Sequence, residues 1–120
     1  GSPPESCDMR GVCGVQYVIE ADGSVYPCDF YAMDGYRLGN INDDRIPALD
    51  QKRKEIGFIE ASAPLPEACG ECEYGQLCRN GCRRHRDDDM RTIFCHSYKM
   101  FYRHALGRMQ GIAGALANSR

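Results

Sequence analysis

Eight cysteines are the side chains of this 120-residue sequence best suited to chemistry. Four of them form a dense C-x2-C-x5-C-x3-C run, which one more cysteine follows, and three lie near the start of the chain. A C-x2-C pair lets two thiolates bind one metal from a tight turn, and four thiolates complete a zinc site or an iron–sulfur cluster. The cysteines are Cys7, Cys13, Cys28, Cys69, Cys72, Cys78, Cys82 and Cys95. Eight thiolates fit two complete four-cysteine sites, and their number alone does not choose between zinc and iron–sulfur.

The unequal division of the cysteines favours a crossed arrangement. The first half of the chain supplies three ligands and lacks a fourth, whereas the second half has five. In packed ferredoxin runs the fourth cysteine serves the other cluster, so one cysteine of the second half is expected to complete the first site. An arrangement with one open three-ligand site and one free thiol stays an alternative.

Several elements are expected to position these cysteines. The pattern predicts a β-hairpin over residues 15–28, which delivers Cys28 at its far end. Residues 34–44 are typical of a loop, and a helix is predicted over 46–56. Asp44 is the expected N-cap of this helix, and Gly57 is its expected end. Residues 61–66 are predicted to be a linker or extended segment.

The last part of the chain is predicted to be a helix from about Phe94, because its apolar residues recur at intervals of three and four. Together these elements predict a small α+β fold organised around the two sites. We expect residues 1–6 to be a disordered lead, residues 7–105 the domain and residues 106–120 a helical tail. Gly1 and Ser2 suggest a cloning remnant, and the chain is expected to be a piece of a longer protein.

Composition limits the function classes. The length suits one domain and is too short for a barrel enzyme, which needs about 250 residues. A net charge of −2 argues against nucleic acid as a partner, and the absence of a long apolar run argues against a membrane. Leu, Ile, Val and Phe supply 21 of 120 residues, so metal is expected to supplement a thin core. Nothing indicates secretion, so a cytoplasmic location is expected and a disulfide-bonded domain is the weakest alternative.

A family resemblance follows from the spacing Cys13-x9-Gly23-x4-Cys28 together with the later run and Cys95. This pattern resembles the SPASM domain, the C-terminal extension of many radical S-adenosylmethionine (SAM) enzymes that modify peptides and proteins. The resemblance covers about residues 7–105. Three short stretches are similar to one subfamily, the anaerobic sulfatase-maturating enzymes: VYPCDFY (25–31), RLGNI (37–41) and GCRR (81–84).

The resemblance implies two auxiliary [4Fe–4S] clusters, with zinc as a possible substitute. The implied ligands of the first cluster are Cys7, Cys13, Cys28 and Cys82. Those of the second are Cys69, Cys72, Cys78 and Cys95. Full ligation would leave no iron open to substrate, which favours electron transfer or a structural role over Lewis-acid chemistry.

The resemblance also makes Asp29 the candidate catalytic base, which would take a proton from the target cysteine or serine of a sulfatase as that residue is oxidised to formylglycine. The alternative is that Asp29 caps a turn or accepts backbone N–H bonds after the hairpin. The C-x3-C-x2-C motif that binds the SAM-cleaving cluster does not occur in this sequence. SAM and its cluster are therefore expected in the barrel domain of a parent enzyme, a radical SAM oxidoreductase, whose other partner is the substrate protein or peptide.

Other candidate side chains have ordinary interpretations. The histidines (His85, His96 and His104) are expected to be structural or on the surface, because eight cysteines already satisfy two sites. The stripe Tyr98, Phe101 and Tyr102 is expected to pack on the clusters or on the barrel. The run of Arg79, Arg83, Arg84 and Arg86 is expected to pair with Asp87, Asp88 and Asp89, with tuning of the clusters or docking of an acidic partner as the alternative.

Two function hypotheses follow. The first is an auxiliary-cluster domain that relays the electron released on substrate oxidation and helps to seat the substrate peptide. The alternative is a non-catalytic zinc-binding interaction module with two four-cysteine sites, since zinc also accepts four thiolates.

Overall fold

A three-stranded antiparallel sheet organises the first half of the chain in the computed structural model, which describes residues 3–119. The strands are β1 (Val18–Ile19), β2 (Ser24–Tyr26) and β3 (Gly39–Asn40), in the order β1-β2-β3. Val18 pairs with Tyr26, and Ser24 pairs with Asn40. The predicted hairpin is therefore confirmed, with strands shorter than the pattern indicated, and the end of β2 leads directly to Cys28.

The prediction of a loop over residues 34–44 is wrong in part, because this segment contains β3 and a turn of 3-10 helix over Asp34–Tyr36. The Leu38 N–H donates to the Val25 carbonyl at 2.8 Å, which docks the segment onto β2. A two-residue strand is too short to show the alternation on which sequence patterns depend. Burial of Leu38 holds it in place.

The predicted helix is α1 (Ile46–Glu55), and Gly57 follows its end in the left-handed region at φ +60, as expected of a C-terminal glycine. The predicted N-cap is wrong. Arg45 precedes the helix, and no side chain caps it. The Asp44 carboxylate instead accepts the Asn40 N–H at 2.8 Å, so it closes the turn after β3.

The second half of the chain contains short helices and one long one. These are α2 (Glu67–Gly70), α3 (Gly75–Cys78) and α4 (Cys95–Asn118). Further 3-10 turns lie at Cys7–Met9, Asp29–Tyr31, Glu60–Ser62 and Arg83–His85. The predicted extended segment over 61–66 thus begins with a helical turn. No strand lies between residues 63 and 119, so loops and short helices must carry the cysteines of this half.

The apolar core is divided and small, as the composition predicts. One cluster joins the sheet to α1 through Val25, Leu38 and Leu49. A second consists of Cys28, Tyr31 and Phe58, and the Tyr31 and Phe58 rings meet edge to face at 5.2 Å. Fifteen large apolar side chains are exposed in the described part of the chain, so the free energy of folding needs a source besides this core.

Helix α4 packs with only its first turns. Tyr102 is buried against Tyr74, with ring centroids 5.7 Å apart, whereas Phe101 is 55% exposed. Of the predicted aromatic stripe, Tyr98 lines the larger cavity and Tyr102 is buried, while packing of the exposed Phe101 on the barrel stays a prediction. The helix continues past residue 105, and its side chains are exposed from residue 107 onward.

The ends of the predicted organisation fall partly outside the described residues, since Gly1, Ser2 and Arg120 lie beyond them. Within the lead, the Arg10 guanidinium donates to the carbonyls of Pro4 (2.8 Å) and Glu5 (3.1 Å). Among residues 3–119, no helix combines the length and the apolar character needed to cross a membrane.

Candidate metal centres

Four cysteines of the second half surround one cavity of about 410 Å³. Cys69 lies in α2, Cys72 follows that helix, Cys78 ends α3, and Cys95 is the first residue of α4. The short helices of this half therefore place each cysteine at or near a helix end, where the chain direction changes. All four cysteines line the same space.

The other four cysteines surround a second, smaller cavity of about 90 Å³. Cys28 follows β2 and is buried, whereas Cys7 begins a 3-10 turn at the surface. Cys13 is held by its N–H, which donates to the Ser62 Oγ at 2.8 Å. Cys82 completes this set although it belongs to the cysteine run of the second half.

A left-handed segment separates the last two cysteines of the run. Arg79, Asn80 and Gly81 have φ values of +48, +64 and +56. Three successive left-handed residues turn the backbone sharply, so Cys78 faces the larger cavity and Cys82 faces the smaller one. Asparagine and glycine tolerate this region better than other residues, so the Asn-Gly pair was the available sequence signal.

Asn80 fixes that turn from within. Its side chain is buried, its Nδ2 donates to the Met90 carbonyl at 2.7 Å, and its Oδ1 accepts the Thr92 N–H at 2.8 Å. The Cys69 thiol also approaches this oxygen, at 3.9 Å. Asn80 therefore ties the turn to the segment before α4. Sequence reasoning missed this residue because its role depends on long-range contacts.

Burial affects the thiols of both cavities. It raises the pKa of the Cys28 thiol to about 11, and the adjacent Asp29 side chain adds to this effect. Burial, followed by the neighbouring cysteines, also raises the pKa of Cys69; burial is likewise the main cause of the raised pKa at Cys78. Bringing thiolates together is unfavourable unless a cation compensates their charge, so these positions favour a bound metal that displaces the thiol protons.

The donor set fits an iron–sulfur cluster. All four donors around each cavity are cysteines, which is the ligand type that [4Fe–4S] clusters use. Within residues 3–119, no three His, Cys, Asp or Glu side chains converge closely enough to hold a single metal ion. In each set the four thiols line one cavity, which suits a group with four cysteine ligands.

Histidine contributes to neither cavity lining. His85 lies between Phe30 and Phe94, with ring centroids 6.0 and 5.2 Å away. His96 and His104 are exposed on α4. These positions agree with the structural or surface roles expected for all three.

Asp29 is exposed and lies in the chain between Cys28 and Phe30, which both line the smaller cavity. Its Oδ1 accepts the Phe30 N–H at 3.0 Å and lies 3.3 Å from the Cys28 Sγ, which donates to it. The side chain therefore accepts a backbone N–H, as the structural alternative expected, but no side chain caps the 3-10 turn Asp29–Tyr31. One carboxylate oxygen makes these contacts, and the exposed group can still meet a substrate.

The prediction that the arginine run pairs with the following aspartates is wrong. In the described part of the chain, every ion pair lies within α1. Arg83 instead donates to the Phe58 carbonyl at 3.3 Å and stacks 5.2 Å from the Tyr31 ring centroid. For Arg83, aromatic faces and a backbone carbonyl thus take the place of carboxylates.

Arg86 makes the largest number of these contacts. Its guanidinium donates to the carbonyls of Ser62 and Gly11 at 2.7 Å each, and to those of Asn80 and Gly81 at 3.2 Å each. Burial lowers the pKa of Arg86, and nearby thiolates, chiefly those of Cys13 and Cys82, oppose this shift.

Comparison with known proteins agrees with this description. The family model of the SPASM iron–sulfur cluster-binding domain matches residues 7–73. The cysteine-type anaerobic sulfatase-maturating enzyme of Clostridium perfringens (strain 13 / Type A) is 44% identical over 113 residues. That match covers 90% of this chain and 30% of the enzyme. The serine-type enzyme of Bacteroides thetaiotaomicron is 26% identical, over 100% of this chain and 31% of the enzyme.

The solved structure of native anSMEcpe with bound AdoMet and Cp18Cys peptide matches with a TM-score of 0.86 and 42% identity. The match covers 93% of this chain and 32% of that protein, so the chain spans about a third of the relatives it resembles. A family model that covers more than half of the chain, the eight cysteines and this structural match lead to one assignment. The chain belongs to the SPASM family of iron–sulfur cluster-binding domains.

Proposed function

We propose that this chain is the auxiliary-cluster domain of a radical SAM enzyme that oxidises a cysteine of a sulfatase to formylglycine. The sequence is nearer to the cysteine-type enzymes than to the serine-type, at 44% against 26% identity. The stretch around Cys28 and Asp29 carries the subfamily resemblance. The SAM-cleaving barrel would belong to the rest of the parent protein, which the proposal places in the cytoplasm, where thiols stay reduced.

The observation that carries the proposal is the division of eight cysteines between two cavities, four to each. Cys7, Cys13, Cys28 and Cys82 would hold one [4Fe–4S] cluster. Cys69, Cys72, Cys78 and Cys95 would hold the other. With four cysteines on each cluster, no iron would be open to substrate, so the clusters would supply electron transfer and stability. Zinc in these sites would be a substitute metal.

Asp29 is the residue we assign to proton transfer. Its carboxylate is exposed beside the smaller cavity, and one hydrogen bond from the Phe30 N–H fixes its orientation. A carboxylate so placed would take the proton of the target thiol as that residue is oxidised. Closure of this site against water would come from the barrel.

The substrate peptide would lie against the surface beside Asp29. Phe30 is 50% exposed there, and Phe94 is exposed on the other side of His85. Exposed aromatic side chains near a catalytic group suit a peptide backbone and its apolar side chains. Seating of the peptide is therefore part of the proposed role.

A chimera tests the proposal. This chain would replace the matching third of the Clostridium perfringens enzyme, and conversion of a cysteine-containing sulfatase peptide would be followed by mass spectrometry without oxygen. We expect formylglycine with the chimera and none with its Asp29→Asn form. A chimera that holds a full complement of iron and cleaves SAM, yet leaves the peptide unchanged, would contradict the assignment.

A further inference from the structure

Arg86 carries a positive charge that no carboxylate neutralises. Within the described residues it forms no ion pair, although Asp87, Asp88 and Asp89 follow it directly. The Asp87 carboxylate instead accepts the N–H groups of Asp89 and Arg91, at 3.1 and 3.0 Å. A half-buried cation is stabilised by negative charge nearby, and no carboxylate supplies it for Arg86.

The carbonyls that Arg86 binds belong to the wall between the two cavities. Gly11 lines both cavities, Asn80 lines the larger one, and Gly81 lines the smaller one. The guanidinium donates to all three carbonyls and to that of Ser62. Arg86 therefore lies in the partition between the two cysteine sets, where it joins the first and second halves of the chain.

The structure thus points to a role that rests on the proposed function. We propose that Arg86 is a positioning residue that serves as the shared counter-charge of both clusters and holds the wall between them. A cluster with four thiolates is negatively charged and becomes one unit more negative when reduced. A fixed cation between two such clusters stabilises the reduced form of each, and charge and hydrogen bonding are known determinants of cluster potential.

The other arginines of the run differ in a way that makes this role specific. Arg83 stacks on Tyr31 and lines only the smaller cavity. Arg79 lines only the larger cavity, and its contacts to the carbonyls of Met9 and Leu77 are long, at 3.4 Å each. Arg10 lines both cavities, but its guanidinium donates to the carbonyls of Pro4 and Glu5, outside the wall. Among the arginines of the run, only the planar fork of Arg86 contacts the walls of both cavities.

The experiment compares Arg86→Gln and Arg86→Lys with the unmodified chain, after reconstitution with iron and sulfide without oxygen. Iron and sulfide are counted first, and each cluster is then titrated with dithionite and followed by electron paramagnetic resonance. Arg108→Gln is the control, because Arg108 is exposed on α4 and lines neither cavity. It removes the same charge at a distance from both clusters.

We expect Arg86→Gln to lower both potentials, by roughly a tenfold change in each reduction equilibrium, or about 59 mV for one electron. Arg86→Lys should keep both potentials near those of the unmodified chain, because it keeps the charge. Arg108→Gln should change neither. Potentials unchanged in a fully loaded Arg86→Gln, or lowered for one cluster only, would overturn the shared role.

Failure of Arg86→Gln to assemble clusters is also informative. If Arg86→Lys assembles both, the charge is what assembly requires and the inference stands. If Arg86→Lys fails as well, the hydrogen-bonding fork matters and the counter-charge role is wrong. An unmodified chain that binds no iron would contradict the proposed function itself, which separates the two tests.

Discussion

The two cysteine cavities of this chain differ in size, in exposure and in the charges around them. The smaller one lies beside the sheet and includes the buried Cys28, whose thiol donates to Asp29. The larger one lies among loops and short helices, and four cations line it: Arg10, Arg79, Arg91 and Lys99. Two cations line the smaller cavity: Arg10, which the two cavities share, and Arg83. The larger cavity therefore has more positive charge around it, and the smaller one has the carboxylate of Asp29 beside its Cys28 thiol.

The cavities also differ in what holds their walls. The smaller cavity shares Cys28 and Tyr31 with an apolar cluster of the first half, which Phe58 completes. Around the larger cavity the buried side chains are few, and Tyr74 and Tyr102 are the main apolar pair. We therefore expect the second half to depend on a bound cluster for its structure, whereas the first half has an apolar core of its own.

Removal of the metal gives the largest expected effect. Oxidative chelation should abolish amide protection over residues 63–95, while Val25 and Leu38 keep part of theirs, because four-thiolate metal sites supply about 10 kcal/mol or more of folding free energy. Hydrogen exchange with mass spectrometry measures this difference. Equal loss of amide protection in both halves would contradict the expected difference in their dependence on metal. Intact protection in both halves would show that the apolar core is sufficient without metal.

The pair Cys78→Ala and Cys82→Ala tests how the cysteine run is shared. Although these residues are four apart, each variant should lose a different cluster and keep about half of the iron, since the left-handed turn directs them to different cavities. Electron paramagnetic resonance of the reduced chain identifies which signal is lost. Loss of the same signal from both variants would refute the crossed arrangement.

Asp29→Asn should lower formylglycine formation by roughly 10²- to 10⁴-fold in the parent enzyme, which is the usual contribution of a general base. Iron content should not change, because the amide oxygen of the introduced asparagine can still accept the Phe30 N–H. Asp34→Asn is the matched control, since Asp34 begins the neighbouring 3-10 turn and is also exposed. Turnover unchanged by Asp29→Asn would remove this residue from the mechanism.

Arg91→Gln is expected to have the smallest effect on the cluster potentials. It tests whether a cation beside the larger cavity acts on one cluster only. Arg91 is exposed and lines only the larger cavity, so its loss should lower one potential by less than about 59 mV and leave the other unchanged. A redox titration of the loaded chain measures both. A change in the potential of the smaller cavity's cluster alone would show that Arg91 acts on that cluster and not on the one in the larger cavity.

Much of this architecture follows from local sequence signals. The turn at residues 21–24 predicts the hairpin, Gly57 predicts the end of α1, and the apolar spacing after Phe94 predicts α4. Each of these signals acts within a few residues, so contacts with distant parts of the chain do not change the local structure that it predicts. The division of cysteines, three and five, favours a crossed pair of sites over an open three-ligand site with one free thiol.

Other features depend on contacts between distant residues. β3 exists because Leu38 docks on Val25, and a two-residue strand carries no pattern of its own. Arg86 binds Gly11, which is 75 residues away, although three aspartates follow it in sequence. Local charge patterning therefore predicted the wrong partners for the arginines, and it could not show that one of them joins the walls of both cavities.

We propose that the eight cysteines hold two iron–sulfur clusters in two separate cavities. The most direct measurement is the iron, zinc and acid-labile sulfide content of the chain prepared without oxygen, together with its visible spectrum. We expect about eight iron atoms and eight sulfide ions per chain, with broad absorption near roughly 400 nm. About two zinc without sulfide, in a colourless chain that takes up no clusters on reconstitution with iron and sulfide, would contradict it.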